Sequence, residues 1–182
     1  MVYIILGKGF EETEAVAPGD VLRRAQIPMQ YAGIGGRLVE GAHGITVQAD
    51  ITVEEMDLQN MDMIVLPGGM GGVESIEASP AAMAAVEYAL KHDRYVSAIC
   101  AAPTVLAKAG LLKGVRACCY PSREAELAEA GALVSRESAV RDGTIVTSRG
   151  MGTAVDFGLH LVEYFQGEEK ARELARAIVW EH

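Results

Sequence analysis

A chain of 182 residues, half of them hydrophobic, is long enough for one domain with a real core and too short for two comfortable ones. Its net charge of -9 is spread along the chain, which disfavours the clustered Lys and Arg that bind a phosphate backbone, so no nucleic-acid partner is expected. No apolar run is long enough to span a membrane, no secretory leader opens MVYIILGKG, and three cysteines make a poor disulfide framework; one cytoplasmic domain over 1–182 is expected.

Short apolar runs alternate with helix-length amphipathic segments, the pattern of an α/β sheet covered on both faces. A strand is predicted at 2–6, then a helix over 11–25 that kinks or starts late at Pro18, then a strand at 29–32. Residues 37–40 and 44–49 read as a hairpin turning at Gly41 and Gly44. A buried strand at 61–66 ends in Pro67-Gly68-Gly69, and a helix over 81–92 follows with Ser79 as its cap and Pro80 in its first turn. The strand entering Cys100 and a helix directly after it come next, followed by a strand at 115–119 and a helix over 122–130. A hairpin over 139–148 turns at Asp142-Gly143, and helices at 153–165 and 168–179 close the chain. The fold class is a doubly wound, mostly parallel sheet, in which ligands bind at the carboxyl ends of strands.

Two of those ends attract attention. At AICAAP a β-rich run stops at a single cysteine and a helix begins, which is the logic of a nucleophile elbow with Ala98 and Ala102 as the small neighbours. Free amides at the head of a helix would favour a thiolate, so the Cys100 pKa is expected below its ordinary value of about 8.5. The N–H groups of Ala101 and Gly69 are candidate oxyanion donors. Of the four histidines, His43, His92, His160 and His182, none follows the cysteine directly; His160 and Glu163 read as a solvated pair three residues apart. The acidic alternative is GFEETEA after the first strand, where one of Glu11, Glu12 and Glu14 can face the thiol and the others complement a helix N-terminus. Cys118 and Cys119 are expected on opposite faces of a strand. No C-x-x-C or H-x-x-H spacing occurs, and no metal is expected; nor is a flavin, because GKGFEE is acidic where a phosphate loop would be.

GFEETEAVAPGDVLRRA, VLPGG, AICAAPTVLA and TSRGMGTAVDFGL together resemble, over essentially the whole chain, the ThiJ/PfpI superfamily, in its branch of the Parkinson-disease protein deglycase and bacterial ThiJ-like proteins. That resemblance implies a flavodoxin-like fold, a homodimer, and a cofactor-independent glyoxalase or deglycase acting on dicarbonyls such as methylglyoxal. It carries the reactive cysteine onto Cys100 and its carboxylic partner onto Glu14, with oxyanion donors at Gly69 and Ala101. Gly68, Arg24, Tyr120 and Arg149 fall at supporting positions. The same oxidisable cysteine would equally serve a redox sensor or stress-protective chaperone. Three positions depart from the branch: Tyr120 stands where a histidine precedes a proline, His43 where an arginine is expected, and Met151 where a proline follows TSRG. Ala101 stands where the superfamily's peptidases carry histidine, which argues against peptidase activity.

Overall fold

In the computed structural model, which describes residues 1–180, β1 (Val2–Leu6) is buried at every position, as a parallel strand covered on both faces must be. After it come α1 (Glu12–Arg24), β2 (Met29–Gly33), the hairpin β3 (Leu38–Glu40) and β4 (Thr46–Gln48), and the edge strand β5 (Ile51–Thr52). The strand β6 (Met63–Leu66) leads into α2 (Met70–Ala78) and α3 (Pro80–Lys91), and β7 (Tyr95–Ile99) leads into α4 (Pro103–Lys108). A short excursion of β8 (Arg116–Ala117), α5 (Glu124–Glu129) and β9 (Leu133–Val134) precedes the hairpin β10 (Ala139–Asp142) and β11 (Ile145–Ser148). Two helices follow, α6 (Ala154–Gln166) and α7 (Glu168–Ala177).

The main sheet has seven strands in the order β10-β11-β7-β6-β1-β2-β5, parallel except for the β10–β11 pair. Alternation along the strands sorts side chains between two cores. Val2, Ile4, Leu6, Met63 and Val65 meet Leu22 of α1 and Phe157 and Leu161 of α6. Tyr3, Ile5, Ile64, Leu66, Val96 and Ala98 meet Val73 and Ile76 of α2, Val86 of α3 and Leu106 of α4. This is the flavodoxin-like α/β sandwich expected from the sequence. The register puts the ends of β1, β6, β7 and β11 side by side, with Ile4 opposite Val65, Leu66 opposite Ala98, and Ser148 opposite Ile99. The four loops that leave those ends share one edge of the sheet.

Several expectations need correction. The first helix does not start late at Pro18: it is capped by Glu11 and runs through that proline. Its neighbour α6 helps hold it there, since a Cβ on Gly158 would lie only 3.0 Å from Pro18 Cα and Val21 Cβ, and glycine permits that approach. Helix α2 had no sequence signal, because Met70-Gly71-Gly72 opens with two poor helix formers. The predicted strand at 115–119 shrinks to Arg116–Ala117, which pairs with β9 outside the main sheet. Cys118 and Cys119 therefore follow a strand rather than lie in one; both are buried, Cys118 against Thr147 and Cys119 in the core above. His182 lies outside the described residues. Among the described residues, no helix is long and apolar enough to cross a membrane.

Candidate active site

Cys100 stands directly after β7 with φ of +64°, in the left-handed region that a side chain with a Cβ enters at a cost of about 1–2 kcal/mol. Two backbone bonds hold it there. Its N–H donates to the Ser148 carbonyl of β11 at 3.0 Å, and its carbonyl accepts the Tyr120 N–H at 2.8 Å. Ala98 and Ala102 on either side are fully buried, leaving no room for larger side chains. The corner is thus set by neighbouring strands as well as by its own residues.

Glu14, in the first turn of α1, is 1% exposed, and its Oε2 accepts the Gly68 N–H at 2.9 Å. Gly68 separates the acid from the thiol. A Cβ placed on it would lie 2.5 Å from Glu14 Oε2, 2.7 Å from Cys100 Cβ and 3.1 Å from Cys100 Sγ, so only glycine lets the two groups face each other. Gly69, at φ of +80°, begins α2, and its amide together with that of Ala101 favours charge on the sulfur. On the far side, a Cβ on Gly150 would lie 3.9 Å from Sγ and 3.8 Å from Glu14 Oε1.

Burial pushes both groups up, Glu14 to about 7 and Cys100 to about 12. The facing Glu14 carboxylate adds to the rise at the sulfur, and the amides of Ala101 and Gly69 oppose it. The expected low-pKa thiol is therefore corrected. Helix α4 starts only at Pro103 and has six residues, so its dipole does little for Cys100, whereas desolvation and the facing carboxylate act on the sulfur directly. The two groups titrate as a pair: the first proton leaves near neutrality, and the second resists because two negative charges would then face each other in a dry space.

Cys100, Glu14, Gly68, Gly69 and Ala101 thus come together from three strand ends and the start of α1, with Tyr120 beside Gly150 at the mouth. Arg24 does not join them. It lies ten residues beyond Glu14, about 15 Å along α1, and pairs with Asp20 at 2.7 Å in solvent. Arg149 turns toward Glu124 at 3.7 Å, with its Nε buried and unpartnered. His92 stacks on Tyr88, and His160 meets Glu163 at 3.3 Å as the predicted helix-surface pair. The sequence reading had not singled out Gly150, the Met151 amide that acts on Glu14, or Arg123, whose charge is felt at Cys100. The position of TSRG at a strand end was the available signal for the first two.

His43 instead closes the hairpin onto α1. Its N–H and ring Nδ1 meet the Glu12 carboxylate at 2.7 and 2.8 Å, and the Ile45 N–H adds a bond at 3.4 Å. Burial would raise the Glu12 pKa, but His43 and the surrounding amides hold it below the usual carboxylate range. Glu11, Glu12 and His43 bring three possible metal-ligand atoms within 4.8 Å of one another. They sit at the positive end of α1, which favours carboxylates and opposes a cation, and Glu12 already uses both oxygens. This cluster reads as a helix cap and a hairpin clasp.

A strained cysteine at the carboxyl edge of a doubly wound sheet, facing a buried carboxyl across a glycine, defines a class of α/β proteins with a cysteine–carboxylate site. The chain belongs to the DJ-1/PfpI family, whose model matches residues 1–164. It is 36% identical to the protein dj-1beta of Drosophila melanogaster over 177 residues, covering 97% of this chain and 95% of that one. The crystal structure of that protein superposes with a TM-score of 0.93 at 34% identity, over 100% of this chain and 98% of the other. The glutathione-independent glyoxalase DJR-1.2 of Caenorhabditis elegans is 31% identical over 92% of this chain and 89% of its own. An oxidised DJ-1 of Toxoplasma gondii also aligns with a TM-score of 0.93 at 30% identity, over 100% of this chain and 98% of its own.

Proposed function

We propose that this protein is a cofactor-independent glyoxalase-type enzyme that converts small 2-oxoaldehydes such as methylglyoxal into 2-hydroxy acids. The observation that carries this reading is the Glu14 carboxyl, poised near neutrality, facing Cys100 across Gly68. An acid or base tuned near the working pH is the one that transfers protons most effectively. Ionised Glu14 takes the thiol proton as Cys100 Sγ adds to the aldehyde carbon, and the amides of Ala101 and Gly69 hold the developing oxyanion. The proton passes to that oxygen, giving a hemithioacetal. Glu14 then removes the hydrogen of the former aldehyde carbon as a proton, and the electron pair forms an enediol as the ketone oxygen takes up a proton. The proton is returned to the ketone carbon while the hydroxyl on the first carbon gives up its own, so one carbon is oxidised as the other is reduced. The resulting thioester is hydrolysed by water, which frees the thiol. The similarity to a glutathione-independent glyoxalase supports the same reading.

The test is lactate formation from methylglyoxal without glutathione. Both Cys100→Ser and Glu14→Gln should abolish it, and turnover surviving either change would refute the assigned chemistry. Deglycation of adducts on protein amines is related chemistry at the same thiol, and a homodimer in the cytoplasm belongs to the same proposal.

A second reading, redox sensing or protection under stress, is favoured by one observation: Cys100 is the one cysteine among the described residues that is not fully buried. Oxidation would place a sulfinic oxygen beside Glu14. Absent turnover together with quantitative Cys100 sulfinic acid after mild peroxide would select it.

A further inference from the structure

Among the described residues, eight large hydrophobic side chains are exposed, and three of them, Met70, Tyr120 and Met151, leave the same edge of the sheet as Cys100 at 50%, 50% and 58% exposure. They are linked to one another and to the site. The Met70 Sδ accepts from Arg123 Nη2 at 3.1 Å, and the Arg123 amide donates to the Tyr120 carbonyl at 2.8 Å. The Tyr120 amide in turn binds the Cys100 carbonyl. The Tyr120 ring edge lies 3.4 Å from the position a Cβ on Gly150 would take, itself 3.9 Å from Sγ. Met151 follows Gly150, and its amide acts on Glu14. The rim therefore runs from Met70 through Arg123 and Tyr120 to Gly150 and Met151. Its one cation, Arg123, is paired with Glu126.

The interior has a different character. Gly68 and Gly150 flank the sulfur, and a Cβ on Gly68 would already overlap Cys100 Cβ and Glu14 Oε2, so a reacting head there must be small. Polar groups at the sulfur, the Glu14 carboxyl and the amides of Ala101 and Gly69, stand beside a rim that carries Tyr120 and Met151. They suit a 2-oxoaldehyde whose carbonyl head reaches Cys100 while an apolar or aryl substituent on the ketone carbon leans on that rim. Apolar side chains exposed along one rim lose unfavourable contact with water when something covers them, and a substrate tail would do so. A polyhydroxylated, sugar-derived dicarbonyl would give up water from its hydroxyls for few partners on this rim, since Arg123 is already paired with Glu126.

The geometry points to Tyr120 and Met151 as specificity-determining residues that select 2-oxoaldehydes with an apolar or aryl substituent, a statement that rests on the glyoxalase-type reading above. The test compares kcat/KM for phenylglyoxal and methylglyoxal in wild type and in the Tyr120→Ser, Met151→Ser double variant. The double variant should lose roughly tenfold more activity on phenylglyoxal than on methylglyoxal, mostly in KM, because an apolar contact discriminates by about that factor. Equal losses on both substrates would mean that the rim only supports the fold, and would overturn the inference. If wild type turns over neither substrate, the glyoxalase-type reading fails, and the rim is then read from Cys100 alkylation. N-benzylmaleimide should outpace N-methylmaleimide in wild type, and that advantage should shrink in the double variant; an unchanged ratio overturns the inference. A sedimentation coefficient that drops from dimer to monomer in the double variant would also overturn it, since a second copy of the chain would then be what covers the rim.

Discussion

Replacing Glu14 by Gln removes the group that takes the proton from Cys100 and the charge that opposes the thiolate, and the two losses act in opposite directions. In wild type the pair loses its first proton near pH 7, so Cys100 alkylation by iodoacetamide should rise about tenfold between pH 6 and 8 and flatten above that. An isolated thiol at the ordinary pKa of about 8.5 would rise roughly 75-fold over the same interval and continue upward. In Glu14→Gln only the buried thiol titrates. Its pKa falls from about 12 because the facing carboxylate is gone, but desolvation keeps it above the ordinary value. The midpoint therefore moves upward from about 7, and the rate of the variant keeps climbing through pH 8 where that of the wild type has flattened. The assay is the pseudo-first-order alkylation rate of Cys100 from pH 5 to 10, followed by mass spectrometry. A wild-type rate that keeps climbing beyond pH 8, or the same midpoint in both proteins, would refute the shared-proton account.

The same shift has a stability consequence. Folding raises the Glu14 pKa from 4.5 to about 7, so the folded protein binds the extra proton between those values and loses stability as pH rises through them. Urea denaturation should find Glu14→Gln more stable than wild type at pH 8, by about 3 kcal/mol at most, with the difference vanishing below about pH 4.5. Gly68→Ala should cost about 1–3 kcal/mol and suppress alkylation, because its methyl would overlap both Glu14 Oε2 and Cys100 Cβ; wild-type reactivity in that variant would show that the groups do not face each other there. Cys100→Gly should unfold at a higher urea concentration than Cys100→Ala, by about 1 kcal/mol, since glycine alone enters the left-handed region freely; equal midpoints would remove strain from the account of this corner. Gly150→Ala meets only ordinary contacts of 3.4–3.9 Å, so its melting temperature should hold while the added methyl slows approach to the sulfur; unaltered alkylation would place the entry route elsewhere.

By itself the sequence determined the alternation of strands and helices, the two hairpins and the corner at Cys100, because each of these rests on local chemistry: short apolar runs between amphipathic segments, Asp-Gly or Gly turns, and small residues around one cysteine. It could also offer the acids of GFEETEA as candidates. Which acid faces the thiol was decided by tertiary structure. Glu11 caps α1, Glu12 turns to the hairpin and His43, and Glu14 alone points inward to Gly68, a choice made by the angle at which α1 leaves the sheet. The helix at Met70–Ala78 and the strand β9, with its pairing to β8, escaped the sequence because packing, not propensity, holds them. The thiol's protonation was misjudged for a related reason. A helix dipole can be read from a sequence, whereas burial and a carboxylate brought from a residue 86 positions away in the chain exist only once the strands are in register.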